Sequence, residues 1–317
     1  MTTISPLRLI RLLVALLVAS NTLLSQERDP DRDHKERNWC VLNCDLEIHT
    51  ENIGLVYGYL DNDSIMQEAL SLPTIHFPIR FAYVVEDVAS LEPDMPFLNK
   101  VIMDLNHSFR NTGIEFNLSE VVKIQSDIKL EQLSSNAFQL YDHFSNQYDL
   151  LDIMTVYVVD YDRDFCRTTE TSISCSRVGG FSYVLSGLTS NLVMSQFDLK
   201  NPIIVAHEFG HFFGLYHTFE ERLFGKGSFD PELCNLTGDL ICDTPPDPGT
   251  AYEIYVNYAT CEMIGHEDRN GNSFEPIINN YMGYYKPCYL QEFIFTPQQE
   301  FVIRLASRLQ IRKRLSQ

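Results

Sequence analysis

The chain has 317 residues, of which 44% are hydrophobic, 21% charged and 12% aromatic. This composition is typical of a globular protein and excludes a disordered chain, a collagen-like repeat and a coiled-coil rod. The formal net charge of −19 argues against nucleic acid or an anionic membrane as the main partner.

The N-terminal residues 1–25 are predicted to form a secretory signal peptide. Two arginines precede an apolar core from Leu12 to Ala19, and small residues follow it. Cleavage after Ser20 and cleavage after Ser25 fit equally well. The alternative is a membrane anchor, but the apolar run is shorter than the ~20 residues of a spanning helix. We therefore expect secretion, to the extracellular medium or the periplasm, without stable insertion in a membrane.

The eight cysteines are an even number, which in an exported chain predicts disulfides. None forms a CxxC pair, so a zinc knuckle is disfavoured. The spacing of Cys166 and Cys175 suggests a disulfide that closes a local loop. Four further cysteines, whose pairing the sequence leaves open, would tie down the C-terminal third: Cys234, Cys242, Cys261 and Cys288.

Residues 26–38 are almost wholly polar and charged, which is typical of an exposed leader. The stretch at 60–72 could hold one helix. From Thr74 the apolar periodicity becomes regular and predicts an ordered domain. The predicted elements are a half-buried strand at 75–83, a helix at 96–112 ended by Gly113, a strand at 114–118, a central strand at 153–159 and a short edge strand at 191–196. This order predicts a mixed α/β domain with a twisted sheet.

Two helices are predicted in the second half of the chain. Asn201 and Pro202 have the chemistry of an N-cap and a first helical residue, and Gly214 is well suited to end that helix. After His217 the periodicity fades, and irregular structure held by disulfides is expected. Order returns with the capping box from Thr296 to Gln299, which predicts a C-terminal helix.

The first of these helices carries the sequence HExxHxxGxxH. His207 and His211 lie four residues apart, so both imidazoles leave the same helix face and can bind one zinc ion. Glu208 is placed to reach a water on that ion, and Gly214 permits the turn that brings His217 to it. Three histidines leave a fourth position for water, which is typical of a catalytic site.

Two alternatives to a catalytic site compete for this motif. An ordinary amphipathic helix with satisfied histidines would not need glycine and histidine at the fixed positions that follow. A zinc site without chemistry would have no use for the carboxylate of Glu208. The motif therefore favours a catalytic metal centre.

HExxHxxGxxH resembles the signature of the metzincin metalloproteases. Met282, in the stretch from Asn279 to Tyr284, resembles the methionine turn of that clan. The later motifs are similar to those of the pappalysin family, which includes ulilysin and the cytophagalysins: His217-Thr218-Phe219, Thr237-Gly238-Asp239, Asp243-Thr244-Pro245-Pro246, Asn280-Tyr281-Met282 and Phe295 to Gln299. The likeness covers about Thr74 to Leu309.

The resemblance implies a metzincin fold over residues 74–317. The upper subdomain, 74–217, would hold the twisted mixed sheet and the zinc helix. The lower subdomain, 218–317, would be smaller and irregular, with the Met-turn and the C-terminal helix. Residues 26–73 would then be a leader or prosegment.

The resemblance also implies a secreted zinc endopeptidase that acts on protein or peptide substrates. Its ligands would be His207, His211 and His217, with Glu208 as general base and Tyr284 supporting the oxyanion. A region that binds calcium in some relatives corresponds to Asp239, Asp243 and Thr244, whose oxygens are the hard donors that Ca²⁺ prefers. The alternative for these three residues is a turn stabilised by aspartate.

The sequence departs from the family at two places near the methionine. Gly283 stands where relatives often have aspartate, and Lys286 stands where an acidic residue would select basic substrates. Basic-residue specificity is therefore in doubt. Either Cys40 or Cys44 could cap the zinc as a thiolate, or both could be disulfide-bonded.

Two competing functions remain at this point. One is a zinc-binding adhesion or inhibitory module that does not hydrolyse peptides, which the intact Glu208 disfavours. The other is an intracellular zinc peptidase, which would require the N-terminal leader to have another purpose.

Overall fold

The structure is a computed structural model that describes residues 56–60, 63–89, 92–126, 153–159, 165–168, 173–176, 180–181, 191–220, 234, 238–247, 256–264, 266–267, 273–285, 288 and 291–308. The predicted signal peptide, Cys40, Cys44 and Lys286 lie outside these residues. The described helices are α1 (Asp63–Leu70), α2 (Met95–Ser108), α3 (Pro202–Phe212) and α4 (Pro297–Ala306). The described strands are β1 (Ile75–Val85), β2 (Ile114–Gln125), β3 (Met154–Val159), β4 (Phe165–Thr168), β5 (Ile173–Ser176), β6 (Gly180–Phe181), β7 (Asn191–Ser195), β8 (Val256–Asn257), β9 (Glu262–Met263), β10 (His266–Glu267) and β11 (Ser273–Phe274).

Five strands form one sheet in the order β2-β1-β3-β7-β6. The first four run parallel, and β6 pairs antiparallel with β7. The sheet and its helices confirm the mixed α/β prediction, and β3 is the central strand as predicted. The expectation that the strand at 191–196 lies at an edge is wrong, because β6 pairs with its outer side.

Burial of the first strand also differs from the prediction. Every residue of β1 from Phe77 to Val84 is buried, on both faces of the sheet. Apolar alternation at 75–83 predicts a half-buried strand, but β1 lies between two other strands and is covered on both sides. The residues of the second face include Arg80, whose Nε donates to the Oγ1 of Thr155 at 3.2 Å.

The helix after β1 ends earlier than its periodicity indicates. α2 stops at Ser108, and a turn over 109–112 precedes Gly113, which has φ +70°. Two features of the structure require glycine at this position. Its backbone is left-handed, and a Cβ there would lie 2.6 Å from the guanidinium carbon of Arg304. The arginine therefore packs directly against the turn.

An aromatic cluster holds α3 against the sheet. The ring of Phe116 on β2 lies edge-on to those of Phe209 on α3 and Phe109, at centroid distances of 5.2 and 5.3 Å. Phe213 lies edge-on to Phe77 of β1 at 5.3 Å. All five rings are buried. These contacts fix the C-terminal half of the helix, which positions the polar side chains that it carries.

The described residues between His217 and α4 are largely irregular, as predicted. They include the two-residue strand pairs β8–β9 and β10–β11, and two disulfides, Cys234–Cys242 and Cys261–Cys288, hold them. The sequence left the pairing of these four cysteines open, and the structure shows it. In β4 and β5 the antiparallel register sets Cys166 opposite Cys175; a disulfide there stays a prediction.

Residues upstream of the predicted domain boundary pack on its core. Val56, Leu60 and Ala69 are buried in the main hydrophobic cluster. Helix α1 lies within the stretch 60–72, where a helix was predicted, and packs against α4.

Among the described residues, no helix has the length and hydropathy that crossing a membrane would require.

Candidate metal centre

Helix α3 brings two of the three predicted metal ligands together. Asn201 caps it by accepting from the N–H of Ile203 at 3.0 Å, and Pro202 is the first helical residue, as predicted. One turn separates His207 from His211, and their Nε2 atoms are 3.0 Å apart. Both residues are buried, so the helix presents them to the interior of the protein rather than to bulk water.

The third histidine joins them from the turn after α3. Gly214 has φ +99°, a left-handed conformation that reverses the chain. The Nε2 atom of His217 then lies 3.1 Å from that of His211. These separations are close to the roughly 3.3 Å expected between two nitrogens bound to one tetrahedral zinc ion. The structure therefore gathers all three predicted ligands at one point.

Each histidine is oriented by a partner at its other ring nitrogen. The Nδ1 atoms of His207 and His211 lie 2.7 Å from the backbone carbonyls of Tyr281 and Leu215, respectively. A carbonyl can only accept, so both Nδ1 atoms carry the proton and both Nε2 lone pairs face the centre. The Nδ1 of His217 is 3.6 Å from the carboxylate of Glu220.

Burial keeps the imidazoles of His207 and His211 neutral. Desolvation lowers the pKa of His207 to about 4. Desolvation, reinforced by the neighbouring His207 and His217, holds the pKa of His211 well below its usual range. A set of three imidazole nitrogens suits zinc, which takes tetrahedral nitrogen ligands and keeps one position open in catalytic sites. The residues present therefore fit a zinc ion.

Glu208 lies beside this group and is fully buried. Together with His207 it lines a pocket of about 430 Å³ of empty space, part of it open to solvent. The remaining lining residues are mostly apolar or aromatic: Asn201, Ile203, Ile204, Tyr281, Gly283, Tyr284 and Tyr285. The predicted base therefore faces a cavity next to the metal ligands.

Met282 is completely buried. Its sulfur approaches Gly210 so closely that a Cβ on this glycine would lie 2.5 Å from it. Gly210 is a variable position of HExxHxxGxxH, so the motif itself does not signal its role. The close approach lets the methionine pack against α3.

Two side-chain links that the sequence does not indicate hold the methionine turn in place. Asn280 accepts from the N–H of Met282 at 2.8 Å and donates to the Oε1 of Gln299 at the same distance. The backbone N–H of Thr218 donates to the carbonyl of Met282 at 3.2 Å. The residue after the third ligand thus contacts the turn directly.

A buried carboxylate makes a second connection between the same segments. Asp247 accepts from the hydroxyl of Thr218 at 2.5 Å and from that of Tyr285 at 2.8 Å. It joins the residue after His217 to the segment after Met282. No sequence pattern signals this aspartate, because its partners lie 29 and 38 positions away.

Tyr284 is half-buried at the rim of the centre. Its ring lies 4.8 Å from that of His217 and 5.5 Å from that of His207. Phe219 stacks on His217 at 4.7 Å, with 12° between the ring planes. The structure thus places Tyr284 beside His207 and His217, and its support of the oxyanion stays a prediction.

The three residues compared with a calcium site do not share one role. Asp239 and Thr244 lie together, with the threonine hydroxyl 2.8 Å from Oδ1 of Asp239. Asp243 instead accepts from the hydroxyl of Thr296 at 2.6 Å and from the N–H of Gln298 at 2.8 Å, at the start of α4. The Oδ2 of Asp239 is buried and has no hydrogen-bond partner.

The fold and the three-histidine centre define a metzincin-like metallopeptidase architecture. The structure aligns with that of a promirolysin mutant from Tannerella forsythia at a TM-score of 0.53 and 17% identity, covering 87% of this chain and 96% of that one. The sequence profile of the Peptidase M43 family, described as pregnancy-associated plasma protein-A, matches residues 142–309, more than half of the chain. The chain belongs to this family, which confirms the pappalysin resemblance.

Curated relatives carry the name extracellular metalloprotease. One from Colletotrichum graminicola is 31% identical over 118 residues, which is 37% of this chain and 34% of that protein. One from Pyricularia oryzae is 32% identical over 116 residues, 37% of this chain and 33% of that protein. The chain spans about a third of the length of these two relatives.

Proposed function

We propose that this chain is a secreted zinc-dependent endopeptidase. The observation that carries the proposal is the convergence of the Nε2 atoms of His207, His211 and His217 beside the buried Glu208. When bound, zinc supplies Lewis-acid chemistry that makes a water molecule more acidic and polarises the scissile carbonyl. Family membership and the names of the relatives support this assignment.

The other catalytic roles belong to residues of the chain. Glu208 takes one proton from the attacking water as the new carbon–oxygen bond forms. It then passes that proton to the amine as the carbon–nitrogen bond breaks. Tyr284, at the rim, is placed to donate a hydrogen bond to the oxygen of the former carbonyl. Met282 supports the ligands from below.

The pocket beside Glu208 receives the substrate residue on the amine side of the cleaved bond. Because Glu208 delivers the proton to the leaving amine, that side of the peptide must lie next to it. In the described lining the charged or titratable groups other than tyrosine are Glu208 and His207, and both serve the reaction. We therefore expect an apolar residue at this position rather than lysine or arginine.

Calcium is a second cation in this proposal, held at Asp239. Support comes from the unpartnered, buried Oδ2 of Asp239 and from the adjacent Thr244 hydroxyl, both hard oxygen donors. Asp243 would contribute to the local negative charge while its own oxygens cap α4.

The test of the function compares the secreted protein with Glu208→Gln. Both should hold one zinc per chain by mass spectrometry. In a peptide library the wild type should cleave before apolar residues, and Glu208→Gln should lose at least about 100-fold of that activity. Glu262→Gln, an exposed glutamate of the lower region, is the matched control and should cleave as the wild type does.

Other outcomes would contradict specific parts of the proposal. Zinc without cleavage by the wild type would favour the non-proteolytic binding module. Absence of zinc would contradict the ligand assignment. Cleavage before lysine or arginine would leave the endopeptidase intact and overturn only the expected specificity.

A further inference from the structure

Residues 56–60 and 63–73, here called the N-terminal strap, contact both the turn that precedes His217 and the C-terminal helix region. At one end, the hydroxyl of Tyr57 donates to the carbonyl of Gly214 at 3.0 Å. The ring of Tyr57 also packs on that of Tyr216 at a centroid distance of 6.0 Å. The strap therefore reaches the turn between the second and third histidine ligands.

That turn determines where the third ligand stands. The N–H of Gly214 donates to the carbonyl of His211, and the N–H of Leu215 donates to that of Gly210. The carbonyl of Leu215 accepts from Nδ1 of His211. The hydrogen bond from Tyr57 satisfies the carbonyl of the left-handed Gly214, three residues before His217. It fixes the turn from the outside.

The other end of the strap is anchored by two arginines of the C-terminal region. Arg304 on α4 donates through Nη1 to the carbonyls of Ala69 and Leu72, at 3.1 and 3.2 Å. Arg308 donates through Nη2 to the carbonyl of Pro73 at 2.5 Å. Arg304 is only 8% exposed, so these are internal bonds of the domain.

Several side chains of the strap are also buried in the main hydrophobic core. Val56 and Ala69 are each 2% exposed and Leu60 is 6% exposed, all within the main core. Removing this segment would expose those core contacts and leave the carbonyl of Gly214 without its donor. A prosegment that is released on activation would not be expected to carry part of the domain's core.

We infer that the strap is a permanent part of the folded domain and that Tyr57 is a positioning residue for the third metal ligand. The inference rests on the proposed zinc function. It moves the start of the domain from residue 74 to Val56 or further upstream. Proteolytic maturation, where it occurs, then cuts before Val56.

The matched experiment compares Tyr57→Phe with Tyr59→Phe. Phenylalanine at 57 keeps the ring that packs on Tyr216 and removes the hydroxyl that donates to Gly214. Tyr59 lies in the same segment, but its side chain is 40% exposed and serves as the control. Zinc loss to a competing chelator, the absorption spectrum of the cobalt-substituted protein, and kcat and KM would all be measured.

Tyr57→Phe should bind zinc about 10-fold more weakly, as for other residues that orient metal ligands indirectly. Its cobalt spectrum should shift, and kcat should fall with KM unchanged. Tyr59→Phe should match the wild type in all three. Identical zinc affinity and spectra for both variants, with an active wild type, would overturn the positioning role while leaving the endopeptidase in place.

The mature N-terminus provides an independent check. Mass spectrometry of the processed, active protein should find Tyr57 retained. A stable and fully active form that begins after Leu72 would overturn the inference. A wild type with neither zinc nor activity would instead contradict the proposed function, so the two failures are distinguishable.

Discussion

The three histidine ligands can be identified from sequence because their geometry is local. His207 and His211 are one helical turn apart, and a single left-handed glycine brings His217 back to them. The groups that orient these rings cannot be identified in the same way. The carbonyl that holds His207 belongs to Tyr281, 74 positions along the chain, and a backbone carbonyl has no sequence signature.

Gly210 is a residue whose replacement should disturb the metal centre without touching a ligand. In Gly210→Ala the new methyl group would overlap the sulfur of Met282. The helix gains about 1 kcal/mol of propensity, but overpacking a dense core costs about 1–3 kcal/mol. We expect a lower melting temperature and weaker zinc binding, measured by thermal unfolding and chelator competition.

Gly283→Ala is the matched control for that variant. At Gly283 the nearest atoms to a Cβ are 3.5 Å away, which is ordinary van der Waals contact. Its melting temperature should stay near that of the wild type. An increase in stability for Gly210→Ala would contradict the close packing of the methionine on α3.

Asp239 should make stability depend on calcium. Burial raises the pKa of Asp239 well above its usual range, and the nearby Asp243 and Asp247 raise it further. A raised pKa in the folded state favours folding below the carboxyl's normal pKa. That contribution is lost as pH rises through the folded-state value. In the ion-free protein the ionised form of this buried carboxyl is therefore costly, and a bound cation would relieve that cost.

The measurement is the melting temperature of zinc-loaded protein with and without added calcium. Calcium should raise it at neutral to alkaline pH and have less effect as the pH falls, because protonation of the carboxyl competes with the cation. Asp239→Asn should remove the calcium response and be more stable than the wild type in calcium-free buffer. A wild type whose melting temperature does not respond to calcium anywhere from neutral to alkaline pH would refute the calcium proposal.

At the level of elements, the methionine turn is tied to the start of α4 by a pair of buried amides. The sequence predicts the capping box in which Thr296 and Gln299 satisfy each other's backbone. It does not predict that the Gln299 side chain also bonds Asn280, because that contact crosses 19 positions. The same glutamine thus caps a helix and positions the turn whose Tyr281 carbonyl orients His207.

A double-mutant cycle on this amide pair tests the connection. Asn280→Ala should destabilise the fold by about 2–3 kcal/mol, since it removes the acceptor for the Nε2 of the buried Gln299 and for the N–H of Met282. Gln299→Ala should cost a similar amount. In the double variant we expect a coupling energy of about 1–3 kcal/mol, measured by denaturant unfolding. Additive effects would show that the two amides act independently.

The strand predictions show where local pattern is insufficient. Apolar alternation locates β1, but whether a strand is buried on one face or two depends on what covers it. The strand at 191–196 resembles an edge strand because its neighbour β6 has only two residues, Gly180 and Phe181, which form no detectable pattern. The local pattern therefore identifies which segments form the main strands. It does not show how many neighbours a strand has or whether both of its faces are covered.

At the scale of the whole molecule, the disulfide between Cys261 and Cys288 encloses the methionine turn. It spans 27 positions, so its loss should cost about 3–4 kcal/mol by the loop-entropy estimate. The double variant Cys261→Ser/Cys288→Ser should melt at a lower temperature and lose zinc more readily. The same pair of substitutions at Cys234 and Cys242, which are eight positions apart, is the control.

The smaller loop closed by the control disulfide predicts a smaller loss of stability, and its sulfurs lie outside the loop that carries Met282. Equal effects of the two double variants on zinc retention would contradict a specific role for the larger loop. Both effects would be read by thermal unfolding and by metal content after dialysis.

The hydrogen bond from Arg304 to the carbonyl of Ala69 joins positions that are 235 residues apart. Contacts of such sequence separation form late, because a long loop must be closed before they stabilise anything. The strap therefore docks only after nearly the whole domain has been synthesised, and the turn before His217 acquires its outer support last. We expect hydrolytic competence to appear in the final stage of folding, so that partly folded chains cannot digest one another.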